Sequence, residues 1–98
     1  MDVSGGGIDM NDVKVTTGRQ GHSTPLGCRM AFSAERNHWS RKYNAPMPYS
    51  VFFRPGIALH VGSLSVKSHG CIHLSNTVAS KIYNAYRSHH AVKVCVNP

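Results

Sequence analysis

Only one stretch of this chain carries helical periodicity. Val78, Ala79, Ile82, Ala85 and Tyr86 fall at i, i+1, i+4, i+7 and i+8, a single helical face. Ser75 or Asn76 is placed to cap its start. Arg87, His89 and His90 crowd its end, where positive charge suits the macrodipole. Elsewhere the apolar residues come in short runs cut by Gly and Pro, the pattern of strands and turns. Strands are expected at Val13 to Thr17, Cys28 to Phe32, Tyr49 to Phe53, Gly56 to His60 and Ala91 to Val96, where Val92, Val94 and Val96 share one face. The pattern predicts a mostly β fold with one main α-helix. A chain of 98 residues has room for one core and one domain.

Residues 1–12 are rich in Gly and acid and read as a flexible lead-in to a single domain over 13–98. Glu35 to Asn44 reads as a polar surface excursion, and Asn44 to Pro48 as irregular, because two prolines remove donors and fix φ. No apolar run reaches the eighteen residues of a membrane span. The opening Met1 to Gly7 has neither a basic nor an apolar region and does not read as a signal peptide.

Charge is distributed unevenly. The formal net charge is +7, and the four acidic residues, Asp2, Asp9, Asp12 and Glu35, all precede Arg36. A pair of catalytic carboxylates is thus improbable, which argues against glycosidase chemistry. The positive field suits polyanions, but the basic residues are scattered, with no run longer than Arg41-Lys42, and Trp39, Tyr43, Tyr49, Phe52 and Phe53 follow no nucleic-acid motif. No nucleic-acid partner is expected.

The three cysteines divide by context. Cys28 and Cys95 could pair in an exported protein, but are expected to pack as buried free thiols. Cys71 stands in Ser68-His69-Gly70-Cys71-Ile72-His73, just before the capped helix. A cysteine nucleophile needs a base to ionise it and amides to hold the oxyanion. His60, at a strand end eleven residues upstream, is the expected base; His69 is the alternative. Gly70 permits close backbone approach, so the Gly70 and Cys71 amides are candidates for the oxyanion hole. With no carboxylate beyond Glu35, the group orienting His60 is expected to be a backbone carbonyl, that of Val61 or Gly62. A different class of reading takes His60, His69, Cys71 and His73 as a zinc-binding set, although no short C-x-x-C or H-x-x-x-H motif supports it.

Together, Ala58-Leu59-His60-Val61-Gly62 and Ser68-His69-Gly70-Cys71-Ile72 resemble the signature of the L,D-transpeptidase catalytic domain. Thr24-Pro25-Leu26-Gly27 resembles that family's TPxG turn, and Asn44-Ala45-Pro46-Met47-Pro48-Tyr49 its NAPMPY segment. The resemblance implies a compact β-sandwich-like fold and thioester chemistry on peptidoglycan stem peptides, without a cofactor or metal. It implies Cys71 as nucleophile, His60 as base, and Ser68, His69 and Gly70 shaping the pocket and oxyanion hole. Ser68, His73 and Tyr49 would contact substrate. His73 stands where many members carry Arg or Asn, the His60–Cys71 loop is short, and the strands that usually precede the TPxG turn look mostly missing. The implied location is the periplasm or cell wall, reached by some other route of export. A trimmed domain of this kind also suits a delivered toxin or effector, whose partner would be an immunity protein.

Overall fold

The computed structural model describes residues 1–18, 24–41, 44–62, 64 and 71–96. Its elements run β1 (Asp2–Gly5), β2 (Ile8–Met10), β3 (Gly27–Met30), β4 (Ser33–Ser40), β5 (Ala45–Arg54), β6 (Ile57–Val61), β7 (Ile72–Leu74), α1 (Asn76–His89) and β8 (Val92–Val96). They form two four-stranded sheets, ordered β2-β1-β8-β3 and β4-β5-β6-β7. The fold is mostly β with one helix, as the periodicity predicts.

The helix begins where expected. Ser75 is the N-cap, its hydroxyl accepting from the Val78 amide at 3.3 Å. His90 closes the other end in the left-handed conformation, its amide donating to the Tyr86 carbonyl at 2.8 Å. Ala79, Ile82, Ala85 and Tyr86 are its buried residues. They join Val51, Phe53, Leu59, Ile72 and Leu74 of one sheet and Val3, Val92, Val94 and Val96 of the other in one core. Burying a side chain such as Ile82 is worth roughly 2 kcal/mol.

Six expectations are corrected. Residues 2–10 are no flexible lead-in. Val3 is fully buried, and β1 pairs with both β2 and β8. The glycines that suggested disorder make the β1–β2 turn: Gly5, Gly6 and Gly7 have φ of 97°, 61° and 83°. A Cβ on Gly5 would fall 1.9 Å from the Ala91 carbonyl oxygen. Strands therefore do precede the Thr24-Pro25-Leu26-Gly27 turn. By contrast, Val13 to Thr17 contributes only an isolated bridge, Thr16 to His73.

The polar excursion is mostly strand β4, and the proline segment lies inside β5, where Pro46 opposes Trp39 and Pro48 opposes Asn37. The pairing of β6 to β5 begins at Val51, so among the described residues the first half of β5 has β4 alone beside it in the sheet. A proline is tolerated where its nitrogen faces such an open edge, and the i, i+2 spacing turns both the same way. Finally, Cys28 and Cys95 are no buried thiols. They are direct partners across the β3–β8 ladder and form a disulfide.

Candidate active site

Two short strands build the site. β6 and β7 are parallel, with Leu59 beside Ile72, His60 beside His73 and Val61 beside Leu74. Alternation sends Leu59, Ile72 and Leu74 toward the core and His60 and His73 to the opposite face. The imidazoles meet there edge-to-face, with centroids 4.9 Å apart. Across the other edge of β6, Phe52 pairs with Ala58, so Phe52 belongs to the same face.

Cys71 is the residue before β7 and is half-buried. Carrying the register back one step sets it beside Ala58, whose backbone hydrogen-bonds the sulfur. The thiol also lies 3.9 Å from the Gly56 carbonyl, to which it donates weakly. Cys71 and His60 are thus diagonal neighbours on one face. Strand spacing puts their Cα atoms about 8 Å apart.

His60 is almost wholly buried, and its Nδ1 donates to the Val61 carbonyl at 2.8 Å. Of the two expected carbonyls, Val61's holds the ring. This bond fixes the tautomer and leaves Nε2 as the accepting nitrogen. Gly62 acts differently: its amide donates to Leu74 at 3.2 Å, and a Cβ there would strike the His73 ring at 2.6 Å. Glycine at 62 therefore makes room for the imidazole pair. His73 is anchored from the far side, its amide donating to Thr16 at 2.8 Å and its carbonyl accepting from the Thr16 amide at 3.2 Å.

Burial pushes the His60 pKa below its usual 6.5, against the Val61 bond that raises it, and the nearby His73 and His38 lower it further. Burial likewise pushes the Cys71 thiol above its usual 9.0, partly offset by the Ala58 hydrogen bond. Both directions favour a neutral thiol beside a neutral imidazole. Such a pair can transfer its proton as the sulfur attacks, with no resting ion pair required.

Tyr49 lies on β5 with φ of 53°, rare for a bulky side chain. The Arg36 guanidinium sits 3.8 Å over its ring, and Tyr83 of α1 meets its edge at 5.4 Å. Ser68, His69 and Gly70 lie outside the described residues. Among the described residues, no group of three or more His, Cys, Asp or Glu side chains could hold a metal. Sequence reasoning missed Phe52 and the pair Glu35–His38, joined Nδ1 to Oε2 at 2.6 Å, with His38 edge-on to Phe52 at 5.1 Å. Glu35 signalled itself only as the one acid after Asp12.

A cysteine and a carbonyl-tethered histidine thus lie diagonally on one face of a parallel strand pair. Residues 3–94 match the model of the L,D-transpeptidase catalytic domain, YkuD, and the chain belongs to that family. Solved structures agree. An L,D-transpeptidase from Stackebrandtia nassauensis is 31% identical with a TM-score of 0.73, covering 86% of this chain and 42% of its own. An L,D-transpeptidase from Mycobacterium tuberculosis H37Rv is 25% identical with a TM-score of 0.74, covering 93% and 46%. The structure of the LD transpeptidase LdtMt1 in complex with imipenem is 26% identical with a TM-score of 0.72, covering 93% and 50%. This chain thus spans half or less of the length of these structures. No curated protein matches it. No described helix is long and apolar enough to cross a membrane.

Proposed function

We propose that this domain is a cysteine acyltransferase acting on peptidoglycan stem peptides, with Cys71 as nucleophile and His60 as general base. The observation that carries this reading is the parallel register that puts Cys71 and His60 on one face, with Nδ1 of His60 tied to Val61 and Nε2 left to receive a proton. The Cys71 sulfur attacks the carbonyl that joins the stem's diamino acid to its terminal D-alanine. Its proton passes to His60 Nε2, the tetrahedral oxygen takes the negative charge, and collapse expels D-alanine, which carries the proton away. A thioester remains. An amine of a second stem gives a cross-link, water gives trimming, and a free D-amino acid gives exchange.

The amides of Gly70 and Cys71 are the proposed oxyanion donors, with Ser68 and His69 shaping the pocket. His73 and Tyr49 are the proposed substrate contacts. The Cys28–Cys95 disulfide supports work in an oxidising compartment, such as the periplasm or cell wall. The chemistry needs no cofactor.

The test is mass spectrometry of tetrapeptide muropeptides after incubation with the protein. Cys71→Ala and His60→Ala are expected to abolish every product while circular dichroism stays native. Intact-mass analysis should find the acyl group on Cys71, with imipenem as a second covalent probe. Undiminished turnover by Cys71→Ala would end this reading.

A further inference from the structure

The inference concerns the second half of that reaction and rests on the reading above. We propose that Glu35 and His38 form the acceptor site, Glu35 holding the incoming ammonium group and His38 taking its proton.

The pair stands at the right place. His38 packs edge-on against Phe52, and Phe52 shares the face of Ala58, His60 and His73. His38 is also close enough to His60 to help keep that imidazole neutral. The side chains bearing on His60 are thus His73 of β7 and His38 of β4.

The fold distorts to make this pair. Residues three apart in a regular strand point to opposite faces. Here the β4–β5 ladder runs from Glu35–Ser50 to Asn37–Pro48 without an Arg36–Tyr49 step, and Tyr49 takes its positive φ at that point. Such a conformation is strained and persists only where surroundings enforce it. Arg36 over the Tyr49 ring and Tyr83 at its edge are that enforcement. The result is the contact of Glu35 Oε2 with His38 Nδ1 at 2.6 Å. An ionised carboxylate only accepts, so Nδ1 carries the hydrogen, and in the neutral ring Nε2 is the accepting nitrogen.

Charge gives the pair its purpose. Asp2 and Asp9 belong to β1 and β2 of the other sheet, and Asp12 follows β2, its amide bonded to Asp2. Glu35 is the one carboxylate on the site's sheet, in a chain of net charge +7. The carboxylates of a stem are drawn in by that field, whereas the ammonium group that must reach the thioester is repelled by it. Glu35 is the local exception. The ammonium gives one proton to His38 Nε2 and becomes a nucleophile, and Glu35 stabilises the imidazolium. Nitrogen attacks the thioester carbonyl, its second proton passes through His60 to sulfur, and the carbon–sulfur bond breaks. The products are an amide, the Cys71 thiol and protonated His38. Water carries no charge and gains little from the pair.

The test compares wild type with Glu35→Gln on a tetrapeptide donor with a second stem as amine acceptor. It follows acyl-enzyme by intact mass and products by chromatography. Acyl-enzyme should form at the wild-type rate, while the ratio of amine transfer to hydrolysis falls about fivefold, the size expected of a half-exposed charge contact. Added salt should lower the wild-type ratio toward that of the variant and leave the variant unchanged. His38→Gln should also lower the ratio. A Glu35→Gln ratio within twofold of wild type, with acylation intact, overturns the inference alone. So does a wild type that only hydrolyses. Absence of any acyl-enzyme in the wild type refutes the proposed function, and the inference with it.

Discussion

Gly62→Ala probes the packing that positions the imidazole pair. A Cβ built on Gly62 lies 2.6 Å from both Cγ and Cδ2 of His73 and 3.1 Å from its Nδ1. Carbon atoms prefer about 3.5–4.0 Å, so the overlap is about 1 Å. The φ of Gly62 is outside the left-handed region, and the three described atoms nearest the added methyl all belong to the His73 ring. The ring cannot withdraw with its backbone, since His73 is bonded through both amide and carbonyl to Thr16. Nor can it retreat freely toward His60, 4.9 Å away. Overpacking of this kind costs about 2 kcal/mol, reduced by up to about 1 kcal/mol by the stiffer unfolded chain. At roughly 4–8 °C per kcal/mol for a domain of this size, Tm should fall by about 5–15 °C. The assay is thermal and urea unfolding of a double-mutant cycle. In a His73→Ala background the same Gly62→Ala change should be neutral or slightly stabilising, giving a coupling of about 2 kcal/mol. Equal costs in both backgrounds would refute the steric account.

Three further outcomes follow from the site and the disulfide. Because the His60 pKa is lowered from 6.5, the acid limb of kcat/KM should lie below pH 6.5, and a limb above that value would contradict its burial. The same shift means that the unfolded chain binds the His60 proton first as pH falls, so stability should decline below 6.5. The raised Cys71 pKa means the unfolded thiol ionises first, so stability should decline above 9.0. Urea unfolding across pH should show the loss above 9.0 in wild type and lessen it in Cys71→Ala; an equal loss in both places its cause elsewhere. The Cys28–Cys95 bond spans 67 residues, for which loop entropy gives about 4 kcal/mol and measured cases commonly 2–4 kcal/mol. Reduction should lower Tm by roughly 10 °C or more, and an unchanged Tm with three titratable thiols would show that the bond contributes nothing.

The sequence misled wherever composition stood in for geometry. Gly5, Gly6 and Gly7 look like a flexible leader, but the same freedom at positive φ builds a hairpin turn, and Val3 then fills the core. Pro46 and Pro48 look like strand breakers, yet with β4 alone beside them among the described residues their nitrogens need no partner. Glu35 and His38 look unrelated at a spacing of three in a strand, until the irregularity at Tyr49 turns them to the same side. Each case depends on what lies across the sheet, which no local window contains.

Residue order alone determined the helix with its Ser75 cap, the β6 and β8 runs and the motif family around His60 and Cys71. Periodicity, capping and motif spacing are local, and a local signal survives in one dimension. Tertiary structure alone decided that Cys28 meets Cys95, that Val61 rather than Gly62 holds His60, and that His73 rests against His60 in the space glycine leaves. Those facts are fixed by strand register, and register is settled by burying one face of each strand against a core assembled from the whole chain.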